Sequence, residues 1–249
     1  MFRLEARGAV DSTNDEARRL AERGAPDGTL VWAESQRAGR GRRRRAWASP
    51  PGNLHMSLVL RPACTVETAL QIGFVAGLAI ADALASLVPD ARRLRLKWPN
   101  DVLVDGAKIA GVLMESSVRA DHGTLDWLIL GLGVNVARYP DDTPYPATSL
   151  AAEGGGDVTV VTVLEAVARR FESWRGRWIA ESFAPVRAAW LARGAGVGGI
   201  VTVRGADGSE SRGRFVDLDE GGALILETRP GARRRVVMGE VFPADPLEA

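Results

Sequence analysis

The chain has 249 residues, 46% of them hydrophobic and 25% charged, an ordinary balance for a soluble globular protein with one large domain or one domain plus a small appendage. A formal net charge of +1 argues against a nucleic-acid-binding domain, which is usually basic overall. One cysteine, Cys64, excludes an intrachain disulfide, and with no signal pattern and no uninterrupted apolar run of membrane-spanning length the expected location is the cytoplasm.

Asp11-Ser12-Thr13-Asn14-Asp15 leads into Glu16 to Arg23 and then Gly24. Ser12 as N-cap, an acid three residues on and a glycine stop predict a short helix. Its first N–H groups are able to receive a ligand oxygen, although capping alone accounts for these residues. Leu30 to Glu34 reads as a strand, and Gln36-Arg37-Ala38-Gly39-Arg40-Gly41-Arg42-Arg43-Arg44-Arg45-Ala46-Trp47 follows. Glycines let backbone N–H groups face an anion, and each arginine adds a planar charge that grips phosphate or carboxylate at two points. The stretch therefore predicts a loop for a polyanionic small molecule such as a nucleotide; a solvated basic turn or a nucleic-acid patch is the alternative. It is not a Walker sequence, since no Gly-Lys-Ser/Thr follows.

Ser49 to Asn53 is a turn and Leu54 to Leu60 a strand, so the arginine loop is expected between two sheet strands. Thr65 to Val88, with Leu70, Phe74, Leu78, Ala81, Leu84 and Val88 at helical steps, reads as a core helix. Leu94 to Trp98 is a strand ended by Pro99; Val102 to Val104, Asp105-Gly106 and Lys108 to Glu115 form a hairpin. Asp126 to Val136 is a long apolar strand with Gly131 and Gly133 on one face. That face leaves room for a flat group, and close strand packing explains it equally well.

Arg138 to Gly156 is expected to be a long loop able to move over a site. Helices are expected at Val158 to Ile179 and Phe183 to Leu191, and a glycine-rich hinge at Gly194 to Gly199. Short strands follow at Ile200 to Arg204, Ser211 to Asp217, Ala223 to Glu227 and Arg234 to Met238. Turns at Ala206-Asp207-Gly208 and Glu220-Gly221-Gly222 separate them, which predicts a small β-barrel.

Of the 32 lysines and arginines only Lys97 and Lys108 are lysines. Either two survived a coding bias by chance, or they stand where a compact ammonium is required and a guanidinium does not serve.

Ser12-Thr13-Asn14, Gln36-x-Ala-Gly-Arg-Gly-Arg-Arg, Lys97-Trp-Pro-Asn-Asp-Val, Lys108-Ile-Ala-Gly-Val-Leu-Met-Glu and Gly131-Leu-Gly-Val-Asn135 occur in the order seen in biotin protein ligases. The chain resembles that family over nearly its whole length, and both lysines fall in its motifs. The resemblance implies an α+β fold: a class II aminoacyl-tRNA synthetase/biotin ligase-like mixed sheet flanked by helices, with a C-terminal SH3-like barrel. It implies a catalytic domain over residues 1–194 and the barrel over 195–249. The implied substrates are biotin and ATP with Mg²⁺, giving biotinyl-5′-AMP. The implied protein partner is a biotin carboxyl carrier domain, and the enzyme is expected to act as a monomer or homodimer.

The resemblance assigns biotin binding to Ser12, Thr13, Asn14, Gln36, Arg40, Gly41, Arg42, Lys108 and Gly111, and ATP or adenylate binding to Arg40, Arg42, Arg45, Trp47, Asn100, Asp101 and Asn135. Arg40 and Lys108 are the implied catalytic residues, and no metal ligand is assigned. Asp101 is expected to order a basic neighbour or a magnesium-bound water. Trp47 is expected to shield the intermediate or simply to be buried. The family's loop commonly has a third glycine where Arg44 stands, which bears on loop conformation. Only about ten residues precede the Ser-Thr-Asn motif, too few for the helix-turn-helix of repressor relatives, so no operator binding is expected. The nearest rival is a lipoate or octanoate ligase or transferase of the same fold. The transferase needs a nucleophilic cysteine, and Cys64 reads as structural. An RNA-binding module using the arginines is the rival of a different class.

Overall fold

The computed structural model describes residues 2–119, 123–205 and 208–243. Its first element, β1 (Arg3–Val10), was not expected from the sequence. β1 is an edge strand, mostly solvated and interrupted by Gly8, so it lacks the apolar alternation that marks a half-buried strand. It pairs in parallel with β2 (Thr29–Gln36), and α1 (Thr13–Glu22) crosses between them. With β3 (Leu54–Leu60), β4 (Leu94–Lys97), β5 (Asp101–Val104), β6 (Ala107–Val118) and β7 (Leu125–Val134) they form a seven-stranded mixed sheet, ordered β1-β2-β3-β7-β6-β5-β4. All pairs except β1–β2 are antiparallel.

The two faces of the sheet do different work. Leu128, Leu130 and Leu132 of β7 point into the main core with Leu54, Met56 and Leu58 of β3. The expected helix over Thr65 to Val88 is broken at Leu70 into α2 (Val66–Ala69) and α3 (Gln71–Leu84). By length and composition Val66–Leu84 would pass for a membrane span, although Glu67, Gln71 and Asp82 interrupt its apolar run, and 67% of it is buried within the protein. It packs between the sheet and α4 (Val160–Glu181), while α5 (Ala184–Leu191) sets Trp190 edge-on to Phe74 at 5.6 Å. Each large apolar side chain buried here contributes about 1.5–3 kcal/mol. On the other face, Ala17 and Ala21 of α1 sit on Val31, Val59, Trp127 and Ile129. This smaller cluster covers only part of the face, and the rest is left to the site.

The glycines from 194 onward are pinned rather than a free hinge. Leu96 N donates to Arg193 O and Ala195 N to Leu96 O, which ties the segment to β4. Beyond it lie β8 (Ile200–Arg204), β9 (Glu210–Leu218), β10 (Leu224–Arg229), β11 (Ala232–Val236) and β12 (Glu240–Pro243), ordered β11-β10-β9-β8-β12. β12 was not expected, since its four residues carry no alternation of their own. The turn expected at residues 206–208 lies partly outside the described residues. This small sheet is fastened to the segment after β4 by Trp98 Nε1 donating to Gly222 O at 3.0 Å, and to α5 by Arg187 donating to Leu218 O at 2.6 Å.

Candidate active site

The arginine loop leaves β2 at Gln36 and folds back on itself. Trp47 N donates to Gly39 O at 2.9 Å and Gly41 N to Arg45 O at 2.7 Å. A methyl group built on Gly39 would fall 2.6 Å from Trp47 O, so only glycine permits that closure. At its tip Arg43 and Arg44 both take left-handed conformations, with φ of 55° and 58°. The position where the family commonly has glycine thus keeps a glycine-like backbone with arginine in place.

Ser12 stands at the N-cap position of α1 in an extended conformation, but its side chain makes no capping bond. Capping therefore does not account for it; the buried hydroxyl lines a cavity of about 220 Å³ instead. Next to it, Gln36 Oε1 accepts from Thr13 N at 2.8 Å and Thr13 Oγ1 at 3.0 Å, and Gln36 Nε2 donates to Ser49 Oγ. Ser57 Oγ lies 2.6 Å from Asn14 Oδ1 and 2.8 Å from Thr13 Oγ1, so its one proton serves one of them. Asn14 Nδ2 is buried with no protein acceptor. Gly131 makes the room: a side chain there would collide with Asn14 Oδ1. The result is a neutral end of the cavity with an unspent donor.

The other end is charged. Arg40 holds Asp15 at two points, 2.6 and 2.8 Å, and reaches Glu115 at 3.3 Å. The Arg40 hydrogen bond holds the Asp15 carboxyl below its ordinary range and pushes the guanidinium up. Lys108 Nζ lies 2.7 Å from Asp101 Oδ1 and 5.3 Å from the Trp47 ring centre. Asp101 thus has a basic neighbour in Lys108. Arg42 meets Asn100 Oδ1 at 3.2 Å and Gly239 O at 3.4 Å, and burial lowers its pKa. Arg45 pairs with Glu240 of β12. Lys97 Nζ lies between the rings of Tyr145 and Phe242, 5.1 and 4.9 Å from their centres, and burial lowers its pKa too.

Trp47 links the two ends. Gly111 and Gly133 are cross-strand partners on β6 and β7, and together they make a flat shelf. The indole lies on it: a methyl group on Gly133 would fall 2.6 Å from the ring. Of the two glycines expected to leave room for a flat group, Gly133 faces the Trp47 indole and Gly131 faces the Asn14 amide. Trp47 Nε1 is buried without an acceptor. The expected loop from Arg138 to Gly156 lies over the same cavity, but it is bonded down at Lys108, whose N donates to Pro146 O and whose carbonyl accepts from Thr148 N. Asn135 spends its amide on Thr148 O at 3.0 Å, and Asn100 donates to Val112 O at 2.7 Å. Both asparagines line the cavity as braces of its walls.

Every residue that the resemblance assigned to biotin or ATP binding, from Ser12 to Asn135, lines this one cavity. Sequence reasoning singled out Lys97 but gave it no ligand, and it missed the carboxylates Asp15 and Glu115 behind Arg40, Tyr145, and Glu240 with Phe242 from the small sheet. The lysine scarcity was a signal for Lys97; nothing local pointed to β12. Cys64 lies outside the cavity, and burial raises its thiol pKa.

Residues 1–192 match the biotin/lipoate A/B protein ligase family, and residues 197–242 match the biotin protein ligase C-terminal domain. A biotin–[acetyl-CoA-carboxylase] ligase of Paracoccus denitrificans is 42% identical over 94% of this chain and 97% of its own. The bifunctional ligase/repressor BirA of Bacillus subtilis is 33% identical, covering 90% of this chain and 69% of the relative. The biotin protein ligase of Aquifex aeolicus, solved with biotin and ATP, superposes with a TM-score of 0.82 at 30% identity over 97% of this chain and 98% of that one.

Proposed function

This chain belongs to the biotin protein ligases of the biotin/lipoate A/B protein ligase family, and from that membership we infer its reaction and the duties of its residues. It activates biotin with ATP to biotinyl-5′-AMP and passes the biotin to a lysine of an acceptor protein. The acceptor we propose is the carrier domain of a biotin-dependent carboxylase, with the reaction in the cytoplasm. We assign the catalytic work to residues 1–194 and the small barrel to 195–249.

The observation that carries this reading is the two-ended cavity. One end presents neutral donors and acceptors from Ser12, Thr13, Asn14 and Gln36, suited to a urea-like ring with no charge. The other gathers Arg40, Arg42, Arg45, Lys97 and Lys108, suited to a carboxylate meeting a triphosphate. Two anions repel, and fixed cations where charge builds lower the barrier to their reaction. In the first step a biotin carboxylate oxygen attacks the α-phosphorus and the bond to the pyrophosphate oxygen breaks. Lys108 as a point charge and Arg40 and Arg42 as planar ones would sit at that junction, with Arg45 and Lys97 toward the leaving phosphates. In the second step the acceptor amine attacks the mixed anhydride and AMP leaves. The chain has only to position and stabilise, since no protein nucleophile is needed. Trp47 would cover the adenylate. Magnesium is expected to arrive with the triphosphate. Among the described residues no three His, Cys, Asp or Glu side chains converge as a metal site.

The test is ATP–pyrophosphate exchange with biotin, lipoate and octanoate side by side. Exchange with biotin alone is expected; exchange with lipoate instead would move the chain to the other branch of the family. An octanoyl transferase is disfavoured because Cys64 is outside the cavity.

A further inference from the structure

The cations around the cavity fall into two groups. Arg40 and Lys108 are neutralised by carboxylates of the large sheet and its helix, Asp15 with Glu115 and Asp101 respectively. Among the described residues Arg42, Arg45 and Lys97 form no ion pair with the large sheet, although the Asp101 charge acts on Arg42 and Lys97. Each of these three is met by one strip of the small barrel: Gly239 O accepts from Arg42, Glu240 pairs with Arg45, and Phe242 takes one side of Lys97. Glu240 is mostly enclosed, its side chain 17% exposed, and it forms part of the cavity wall.

Within the ligase reading above, on which this rests, we propose that Glu240 is an internal stand-in for the nucleotide's phosphates. It occupies Arg45 while the site is empty and competes with the triphosphate for that guanidinium. Carbonyl, carboxylate and ring face are all groups that attract cations, and phosphate oxygens would replace the first two. A carboxylate kept at this wall also repels an arriving polyanion. Nucleotide entry and release of the loop from β12 are then one event, and Glu240 sets a ceiling on ATP affinity without touching biotin.

The experiment compares wild type with Glu240→Gln and Glu240→Asp. Gln removes the charge with little change of shape, and Asp retains the charge. Biotin-dependent pyrophosphate exchange gives the KM for ATP. Calorimetry without nucleotide gives the biotin Kd, and thermal unfolding confirms that each variant is folded. The expected result is an ATP KM about three- to tenfold lower for Glu240→Gln, the scale of one partly screened charge. KM for Glu240→Asp stays near wild type, and biotin affinity is unchanged in both. The gap between Gln and wild type should narrow as salt is raised. Intact biotin binding with an unchanged or raised ATP KM in Glu240→Gln overturns the competition and makes Glu240 a brace for Arg45. Equal shifts in Gln and Asp overturn it as well. Loss of biotin binding in wild type would overturn the ligase reading and this inference together.

Discussion

At the scale of single residues, the scarcity of lysine gains meaning from its geometry. Lys108 reaches Asp101 at 2.7 Å and lies over Trp47, and its stem passes 3.3 Å from where a Gly111 methyl group would be. A guanidinium is longer and planar, and it does not fit such a contact as a point charge. Lys108→Arg is therefore expected to lose about a hundredfold in pyrophosphate exchange, comparable to removing one fixed charge from a transition state. Wild-type rates in that variant would end the argument. Arg44 poses the opposite question. Its φ of 58° suits glycine, and a left-handed non-glycine residue carries a cost of roughly 1 kcal/mol. Arg44→Gly should leave stability unchanged or raise it by up to about 1 kcal/mol, since unfolded-chain entropy offsets part of the relief. A clear drop in melting temperature would show that the Arg44 side chain holds the loop.

At the scale of elements, α1 is placed by contacts its own sequence does not reveal. Arg61, just past β3, donates to Ala21 O at 2.7 Å, Ala25 O at 2.9 Å and Asp126 O at 3.0 Å. It closes the C-terminal end of α1 and ties it to the start of β7, which fixes the helix whose N-terminus carries Ser12, Thr13 and Asn14. Carbonyls at a helix end need such partners. Arg61→Ala is expected to destabilise the fold by about 1–3 kcal/mol, the cost of several carbonyls losing a charged donor, and to weaken biotin binding through α1. Chemical denaturation and biotin calorimetry would check both; an unchanged unfolding midpoint would remove Arg61 from this role. The shelf of Gly111 and Gly133 shows the same dependence. The spacing of Gly131 and Gly133 was legible, but the pairing of Gly133 with Gly111 was not, and the occupant, Trp47, comes from a loop 86 residues before Gly133.

At the scale of the whole molecule, titration adds up over distant sites. His55 is buried, and desolvation holds its pKa below the ordinary 6.5 despite the Pro50 carbonyl at 3.2 Å. A depressed folded pKa means the unfolded chain takes up the proton first. Stability is thus full above about pH 6.5 and falls as the pH drops toward the folded value. Asp15, held low by Arg40, contributes only further down: its share is present above the ordinary 3.8 and lost below it. Melting temperature should therefore begin to fall just below pH 6.5 and steepen below pH 4. His55→Gln should remove the first decline and keep the second. A first decline of equal size in that variant would assign it to another group. The barrel belongs to this scale too, because Trp98 with Gly222 and Arg187 with Leu218 join it to the end of β4 and to α5.

Taken alone, the sequence determined which residues gather at the cavity, the main helices, most strands and the family. Short motifs of polar, glycine and cationic residues announce themselves by composition, and apolar periodicity announces the core. The folded structure alone decided which charges pair, that Trp47 lies on its own glycine shelf, that Arg138 to Gly156 is bonded down at Lys108, and that β12 forms a wall of the site. These depend on contacts between residues far apart in the chain. Edge strands such as β1 and β12, largely solvated or only four residues long, carry no local pattern that would betray where they pair.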